Sequence, residues 1–442
     1  MLLVVTLLTL LIILLIMKKA YRLTNGDLLN PFLYVCYFYL LRNLIQLLLL
    51  ALYPEDIKLM IDIGNTDSNL LLLKYVLLHA LFLFVLYLSF INGLKFKRSR
   101  ILVIPDRIRT VKIFFFISFS FSVLGVLLYV MTVGSFINII ANFVNRVEVI
   151  NENIWNQLTI KVTPFVVYSA TYLYCKKSLS KRIWILCCLY SMLALMLFGS
   201  RTIAFTPILG AIVYYHYAMK RISFAFIKKA IFLFLLIFPF LRIISDLRNF
   251  ERSALLMSDP IEYLATLFDT DNENETADFV NKELSGIYIS VFILDHYNIN
   301  NFWYGKGLLD LFQAPIPRKF NKHKPPVDEG RYVVAAVQGM DYSPSVPANN
   351  LPDYSWPPGT FGLGYINAGV VGVVIFSILL GRIQNYFYKR NLYRKSFVSI
   401  FLLFSVMQSF NISNLSIFNY IIAIIPFFFL YGLSVLLSKI RW

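Results

Sequence analysis

The chain has 442 residues, of which 58% are hydrophobic and only 15% are charged, and its mean hydropathy is +0.68. A water-soluble globular protein needs more charged surface than this composition supplies. Soluble enzymes and soluble binding modules are therefore excluded, and an integral membrane protein is indicated.

Apolar runs long enough to cross a membrane recur along the chain, since a helix of roughly 20 residues spans a hydrocarbon core of ~30 Å. Helices are favoured over β-barrel strands because the runs are continuous rather than alternating. We predict an all-α polytopic membrane protein of about eleven transmembrane helices, at 1–17, 31–53, 70–92, 112–136, 160–175, 183–199, 202–219, 229–244, 360–381, 397–411 and 417–437.

One long polar segment interrupts this pattern between the eighth and ninth predicted helices. The predicted organisation is therefore transmembrane helices 1–8 in residues 1–244, one large periplasmic or extracellular loop in 245–359, and transmembrane helices 9–11 in 360–442.

The basic residues set the predicted orientation. Lys18, Lys19 and Arg22 follow the first apolar run, whereas a cleaved signal peptide carries its positive charges before that run. We therefore expect an uncleaved first helix with its N-terminus outside. Every second connection is then cytoplasmic, and these connections hold 25 of the 41 Lys and Arg residues but only two acidic residues, Asp27 and Asp106. This N-out, C-in topology accounts for the net charge of +17, so no nucleic-acid partner is expected.

A few ionisable side chains fall inside the predicted helices, where they are costly and indicate function by default. Arg42, Lys74 and His79 lie deep, and no Asp or Glu falls within any predicted helix. Transporters coupled to protons or sodium usually bind the ion with a buried carboxylate, so that class is disfavoured. Cations without a counter-charge suggest an anionic ligand such as a phosphate or diphosphate. The alternative is that Arg42 and Lys74 bond to backbone carbonyl oxygens and only hold helices together.

The cysteines and histidines offer no disulfide framework and no metal-ligand spacing, so no metal or other cofactor is expected.

The long loop contains a cationic segment at 303–331 that is rich in proline and glycine. Positive charge is ordinarily avoided on the outer face near membrane spans, and prolines present the cations in fewer conformations than a flexible tail allows. We interpret the segment as a phosphate-binding patch; a lipid-headgroup anchor or a solvated basic face is the alternative. Its cations are Lys306, Arg318, Lys319, Lys322, Lys324 and Arg331.

Three short motifs together resemble a known family. They are the tight turn GSR at 199–201, the outer-loop sequence YGKGLLDLFQAPIPRKFNKHKP at 304–325, and the glycine-rich segment at 359–381. With the many spans and one dominant outer loop, they resemble the Wzy-type O-antigen and capsule repeat-unit polymerases of bacterial envelopes. Residues 332–354 form a longer stretch than that family's pattern has, so the resemblance assigns no residue there.

The resemblance implies a multi-pass glycosyltransferase of GT-C-like architecture in the bacterial cytoplasmic (inner) membrane. Such enzymes transfer a growing glycan from its undecaprenyl diphosphate carrier onto an incoming lipid-linked repeat unit. The implied partners are therefore undecaprenyl-diphosphate-linked donor and acceptor glycans and the lipid bilayer, with a chain-length regulator and a flippase in the same membrane.

The residue types suit this chemistry. Departure of a diphosphate from an anomeric carbon builds negative charge, which fixed Arg and Lys side chains stabilise without a metal. We expect Arg201, Arg318 and Lys324 to bind the diphosphate, with Arg242 and Arg248 as second choices. The short turn before Arg201 places its guanidinium at the depth of a lipid headgroup, where its planar fork suits bidentate phosphate contacts.

An acceptor hydroxyl needs a base, and three side chains of the long loop have the required chemistry: His296, Asp295 and Glu329. A structural role is the alternative for each of them. Two related functions also remain open, an O-antigen ligase with the same chemistry and a flippase or transporter of lipid-linked oligosaccharides. A flippase is disfavoured because the sequence has a long outer loop and shows no two related halves.

Overall fold

A computed structural model of the chain describes residues 2–40, 68–94, 107–134, 153–198, 201–223, 225–226, 287–314, 316, 320–321, 323–408 and 412–440. Throughout these residues the regular structure is helical, and no strand occurs in them. The α-helices, in chain order, are α1 Leu2–Leu23, α2 Pro31–Tyr39, α3 Ser68–Leu94, α4 Ile108–Val133, α5 Ile154–Cys175, α6 Lys181–Met196, α7 Arg201–Ala218, α8 Ile287–His296, α9 Lys306–Gln313, α10 Gly330–Val337, α11 Gly359–Arg394, α12 Phe397–Gln408 and α13 Asn414–Lys439.

Within the described residues, five helices are long and apolar enough to cross a membrane, as the all-helical membrane prediction requires. They are α1, the segment Leu70–Leu94 of α3, α4, α11 and α13. They coincide with five of the predicted spans. The predicted helix at 229–244 and most of the one at 31–53 lie outside the described residues. The full count of eleven and the N-out, C-in orientation stay predictions.

The chain divides into two compact units. Unit 1 comprises 1–101, 274–390 and 405–421, and unit 2 comprises 102–273, 391–404 and 422–442. In unit 1, helices α1, α2 and α3 pack on one another, and all the described residues of the long loop belong to this unit.

Unit 2 is built around α5, which packs against α4, α6 and α7. Small residues allow these helices to approach closely: a Cβ on Gly125 would collide with Thr159, and one on Gly210 would collide with the ring of Tyr168. Hydroxyl groups inside the unit pair with one another, since Ser122 Oγ lies 2.7 Å from Thr163 Oγ1 and 2.9 Å from the hydroxyl of Tyr190.

Aromatic rings fill the rest of the core of unit 2. Phe401 and Phe427 stack with ring centroids 3.6 Å apart, and Phe165 meets Phe427 edge-on at 5.5 Å. Such pairs stabilise a core beyond the area they bury.

Candidate functional site

Helix α11 is broken where the sequence predicts the ninth membrane span. Ala368 and Gly369 have non-helical backbone angles, and Gly369 has a φ of 57° and a ψ of −138°, a conformation that favours glycine. A Cβ on Gly372 would collide with the carbonyl oxygen of Gly364. Residues eight apart in a continuous helix are separated by ~12 Å along the axis, so the chain folds back on itself at Ala368–Gly369. Residues 359–367 thus form a short helix that packs against the start of the longer one, 370–394.

Backbone groups of the long loop close the end of this short helix. The last carbonyl oxygens of a helix lack partners within it. Here the amide of Trp303 donates to the carbonyl of Ile366 and that of Tyr304 to the carbonyl of Asn367, each at 3.0 Å. The amide of Gly305 donates to Asn367 Oδ1 at 2.8 Å. The loop is thereby fixed to a membrane segment directly before α9 begins.

An aromatic cluster covers this junction within unit 1. His296 lies 5.1 Å from both Tyr297 and Tyr342, Tyr297 lies 6.0 Å from Trp303, and Trp303 lies 5.5 Å from Tyr332, measured between ring centroids. We call these five rings the aromatic cluster. It runs continuously from the C-terminus of α8 to α10.

Three polar atoms of the aromatic cluster are buried and have no hydrogen-bond partner among the residues that the structure describes: His296 Nε2, the hydroxyl of Tyr297 and Trp303 Nε1. The side chains of Tyr297 and Trp303 are almost completely buried. Most buried polar groups in folded proteins are paired, and each exception calls for an explanation, such as a role in chemistry or an ordered water. Burial also lowers the pKa of His296, against a smaller opposing effect of the Asp295 carboxylate. The imidazole is therefore neutral at pH 7, the state in which a histidine accepts a proton.

Asp310 connects α9 to α10 next to the aromatic cluster. It is 2% exposed, and its carboxylate accepts a hydrogen bond from the hydroxyl of Tyr332 at 2.9 Å and one from Ser345 Oγ at 3.1 Å. Burial raises the pKa of Asp310, and these hydrogen bonds partly offset that effect. The sequence had singled out neither Asp310 nor Tyr332.

Glu329, one of the predicted bases, is 1% exposed at the start of α10. One carboxylate oxygen accepts the amide of Asn414 in a short hydrogen bond, and the other lies 3.5 Å from the amide of Leu415. A carboxylate at a helix N-terminus satisfies amides that lack partners within the helix. Burial nevertheless raises the pKa of Glu329 to about 7. This arrangement favours the structural alternative for Glu329.

Two cations of the basic segment are bound to backbone oxygens. Lys324 Nζ donates to the carbonyls of Ala314 at 2.6 Å and Ile316 at 2.8 Å. Arg331 donates to the carbonyls of Ala348 and Leu351 at 2.9 Å and 2.8 Å, and it pairs with Asp353 at 3.1 Å. Both side chains hold the loop in shape.

Lys74 shows the same use of backbone oxygen inside a predicted membrane helix. Its Nζ lies 3.1 Å from the carbonyl of Leu294 in α8 and 2.7 Å from the hydroxyl of Tyr365 in the short helix 359–367. Lys74 therefore bonds to a backbone carbonyl, which is the alternative given for it in the sequence analysis. The bond also fixes the end of α8, where Asp295 and His296 lie.

The predicted site residues fall into three groups. Asp295, His296, Lys324 and Glu329 lie in unit 1, and His296 belongs to the aromatic cluster while Asp295 is its chain neighbour. Arg201 is the first residue of α7 in unit 2. Three predicted diphosphate ligands, Arg318, Arg242 and Arg248, lie outside the described residues. Arg42, the other deep cation of the predicted helices, lies outside them too.

In the part of the chain that the structure describes, no group of three or more His, Cys, Asp or Glu side chains is arranged to hold a metal ion. Comparison with family models, curated proteins and solved structures finds no match for this chain.

Proposed function

We propose that the chain is a membrane glycosyltransferase that polymerises undecaprenyl-diphosphate-linked oligosaccharide repeat units into surface polysaccharide, either O-antigen or capsule. The proposal includes an eleven-helix, N-out and C-in, GT-C-like architecture in the bacterial cytoplasmic membrane. A chain-length regulator and a flippase are its proposed partners. The observation that carries the proposal is His296 in the aromatic cluster, whose Nε2 is buried and has no hydrogen-bond partner among the described residues.

The proposed reaction uses His296 as the general base. Its Nε2 accepts the proton of an acceptor sugar hydroxyl as that oxygen bonds to the anomeric carbon of the donor glycan. The bond between the anomeric carbon and the diphosphate oxygen breaks, and undecaprenyl diphosphate leaves with the electron pair. Asp295, the chain neighbour of His296, favours the protonated imidazole electrostatically after the transfer.

The leaving diphosphate is stabilised by cations in this proposal. Arg201, Arg318 and Lys324 are the proposed ligands, and Arg242 and Arg248 are second choices. Fixed cations stabilise charge that develops on a leaving group because they need no reorganisation as the bond breaks. Lys324 is already held by two carbonyl oxygens, which keeps its ammonium group in one place.

The aromatic cluster also offers some surface to a glycan. The rings of His296 and Tyr342 are half-buried with centroids 5.1 Å apart, and their accessible parts suit the C–H surface of a sugar. A flippase needs no general base, so the role proposed for His296 favours a transferase over a flippase.

The first test is the ladder of surface polysaccharide from cells that carry the wild type, a deletion or single variants at matched expression. We expect the deletion and His296→Ala to lose the ladder and keep a single-repeat band on the outer face. The matched control is His323→Ala, because His323 is exposed in the same loop. Arg318→Ala and Arg201→Ala should also lose the ladder, with Lys181→Ala as their control on the predicted cytoplasmic face.

Each contrary result has a defined meaning. An unchanged ladder in the deletion would overturn the polymerase proposal. Single repeats retained on the inner face would identify a flippase, and polymer that accumulates without attachment to the lipid A core would identify a ligase. A ladder that persists in His296→Ala but not in the deletion would reject only the assignment of the base.

The pH dependence of transfer by isolated membranes gives a second test. A base must be unprotonated, and burial lowers the pKa of His296 below its usual value of about 6.5. The rate should therefore be constant near pH 7 and fall only as the pH drops through a value below 6.5. His296→Gln should abolish this acidic limb along with most of the activity, which a structural role for the imidazole does not predict.

A further inference from the structure

Helix α9 is amphipathic with its apolar face turned outward. Leu309 and Phe312 are 61% and 79% exposed, and Ile316, one turn further on, is 41% exposed. Leu309 and Phe312 lie three residues apart in α9, so they share one face of the helix, whereas Ile316 lies beyond its last residue, Gln313. The opposite face holds Gly307 and the carboxylate of Asp310, which are buried.

This orientation is the reverse of the one that water imposes. A surface helix in water buries its apolar face and exposes its charged residues. Here the acid is inside, paired with Tyr332 and Ser345, Leu308 and Leu311 are half-buried, and Leu309 and Phe312 are outside. Phe320, beyond the end of the helix, is also 79% exposed.

We propose that the exposed apolar side chains of this segment lie in the bilayer surface among lipid acyl chains and phosphate headgroups. We call them the α9 face: Leu309 and Phe312 in the helix, and Ile316 and Phe320 beyond its end. Three features of the molecule identify a membrane as the occupant. Helices long and apolar enough to span a bilayer occur in the same unit, among them α1 and the segment Leu70–Leu94, so a lipid surface is at hand.

The charges of the sequence at 306–324 complement an anionic membrane. Residues 306–324 contain five Lys or Arg side chains and one acid, Asp310, whose carboxylate is buried. Lys306 is exposed at the start of α9. Basic residues beside an exposed apolar face are typical of helices that lie in the headgroup region.

The backbone attachment of the helix fits the same position. The residues directly before α9 bond to the carbonyls of Ile366 and Asn367, where the membrane segment α11 reverses. Gly307 lets the helix rest on the ring of Trp303, since a Cβ there would lie 2.7 Å from that ring. The α9 face is thus held rigidly rather than on a mobile tether. This inference does not depend on the proposed enzymatic function.

The test is photocrosslinking in the full-length chain, with p-benzoylphenylalanine placed at position 312 or, as a control, at position 354. Both native residues are exposed aromatics of the long loop, but Tyr354 follows Asp353, whose side chain is fully exposed. The protein is reconstituted in liposomes of phosphatidylethanolamine and radiolabelled phosphatidylglycerol that contain no polyprenyl lipid. We expect lipid adducts at 312 to exceed those at 354 by at least about fivefold, since the acyl chains surround only the first position.

Two further measurements sharpen the result. Scanning the probe through positions 308–313 should give lipid adducts with helical periodicity, highest at 309 and 312. Radiolabelled neutral phosphatidylcholine in place of the radiolabelled phosphatidylglycerol should reduce the yield at 312, because the basic residues of the segment then lose their counter-charge.

Other outcomes overturn the inference. Equal lipid yields at 312 and 354 would mean that the α9 face is in water. A crosslink from 312 to another segment of this chain, or to a second copy, would mean that protein covers it. Adducts that form only after polyprenyl diphosphate is added would mean that the face binds the lipid-linked substrate and not the bilayer.

Discussion

Helices α9 and α10 are both eight residues long and lie 16 residues apart in the same loop, yet they are oriented in opposite ways. Helix α10 buries Tyr332, Val333, Val334, Ala335 and Ala336, as a helix beside water does. Helix α9 buries Asp310 and exposes Leu309 and Phe312. Within one folded segment, the two helices therefore face different surroundings, and Asp310 is the contact that holds them together.

The largest expected effect comes from removing that contact. Asp310→Ala leaves the Tyr332 hydroxyl and Ser345 Oγ without their acceptor in a buried place. We expect a loss of about 3 kcal/mol in the free energy of unfolding, measured by thermal unfolding of the purified protein in detergent. Asp341→Ala is the control, because that acid is exposed in the same loop. Equal unfolding midpoints for the two variants would show that Asp310 does not join α9 to α10.

Glu329 at the start of α10 predicts a pH dependence. Its pKa is about 7 in the folded protein and about 4.5 when unfolded, so the folded state binds more protons between these values. Stability should therefore fall as the pH rises through this window, by about 2 kcal/mol between pH 5 and pH 8. Thermal midpoints measured against pH should show this fall in the wild type and lose it in Glu329→Gln. A parallel fall in both proteins would assign the effect to other groups.

The smallest expected change in stability comes from removing Asp353, the exposed partner of Arg331. Asp353 is fully exposed, so Asp353→Ala removes only a solvated ion pair and should leave the free energy of unfolding almost unchanged. Arg331→Ala also removes bonds to several loop carbonyls and should cost more. The thermal unfolding midpoints of the two variants test this order. A larger fall in the midpoint for Asp353→Ala than for Arg331→Ala would contradict the assignment of the stabilising contacts to the loop carbonyls.

Part of the candidate site was accessible from the sequence. His296 was chosen for its chemistry and lies in the aromatic cluster, and the option that Lys74 bonds to a backbone carbonyl corresponds to its contact with Leu294. Asp310 and Tyr332 were missed because an acid in a helix with exposed cations resembles an ordinary solvated residue. Only its partners across the loop distinguish it.

The glycine-rich segment illustrates the same limit. The spacing predicts close helix packing at Gly369, Gly372 and Gly381 and backbone access for a substrate at Gly359, Gly362 and Gly364. In the structure a Cβ on Gly372 would collide with the carbonyl oxygen of Gly364, so Gly364 takes part in the packing as well. The sequence predicts one membrane span at 360–381, because hydropathy is averaged over a window and does not show where the chain reverses direction. The backbone angles at Ala368 and Gly369 divide it into two helices.

The sequence by itself determined that this protein is helical and membrane-embedded, because the length and apolarity of a helix are local properties that residue counts record. Only the tertiary structure decided which side of helix α9 faces inward, since the pairing of Asp310 with Tyr332 and Ser345 joins residues far apart in the chain. Burial depends on such distant contacts, and for that reason periodicity alone does not reveal it.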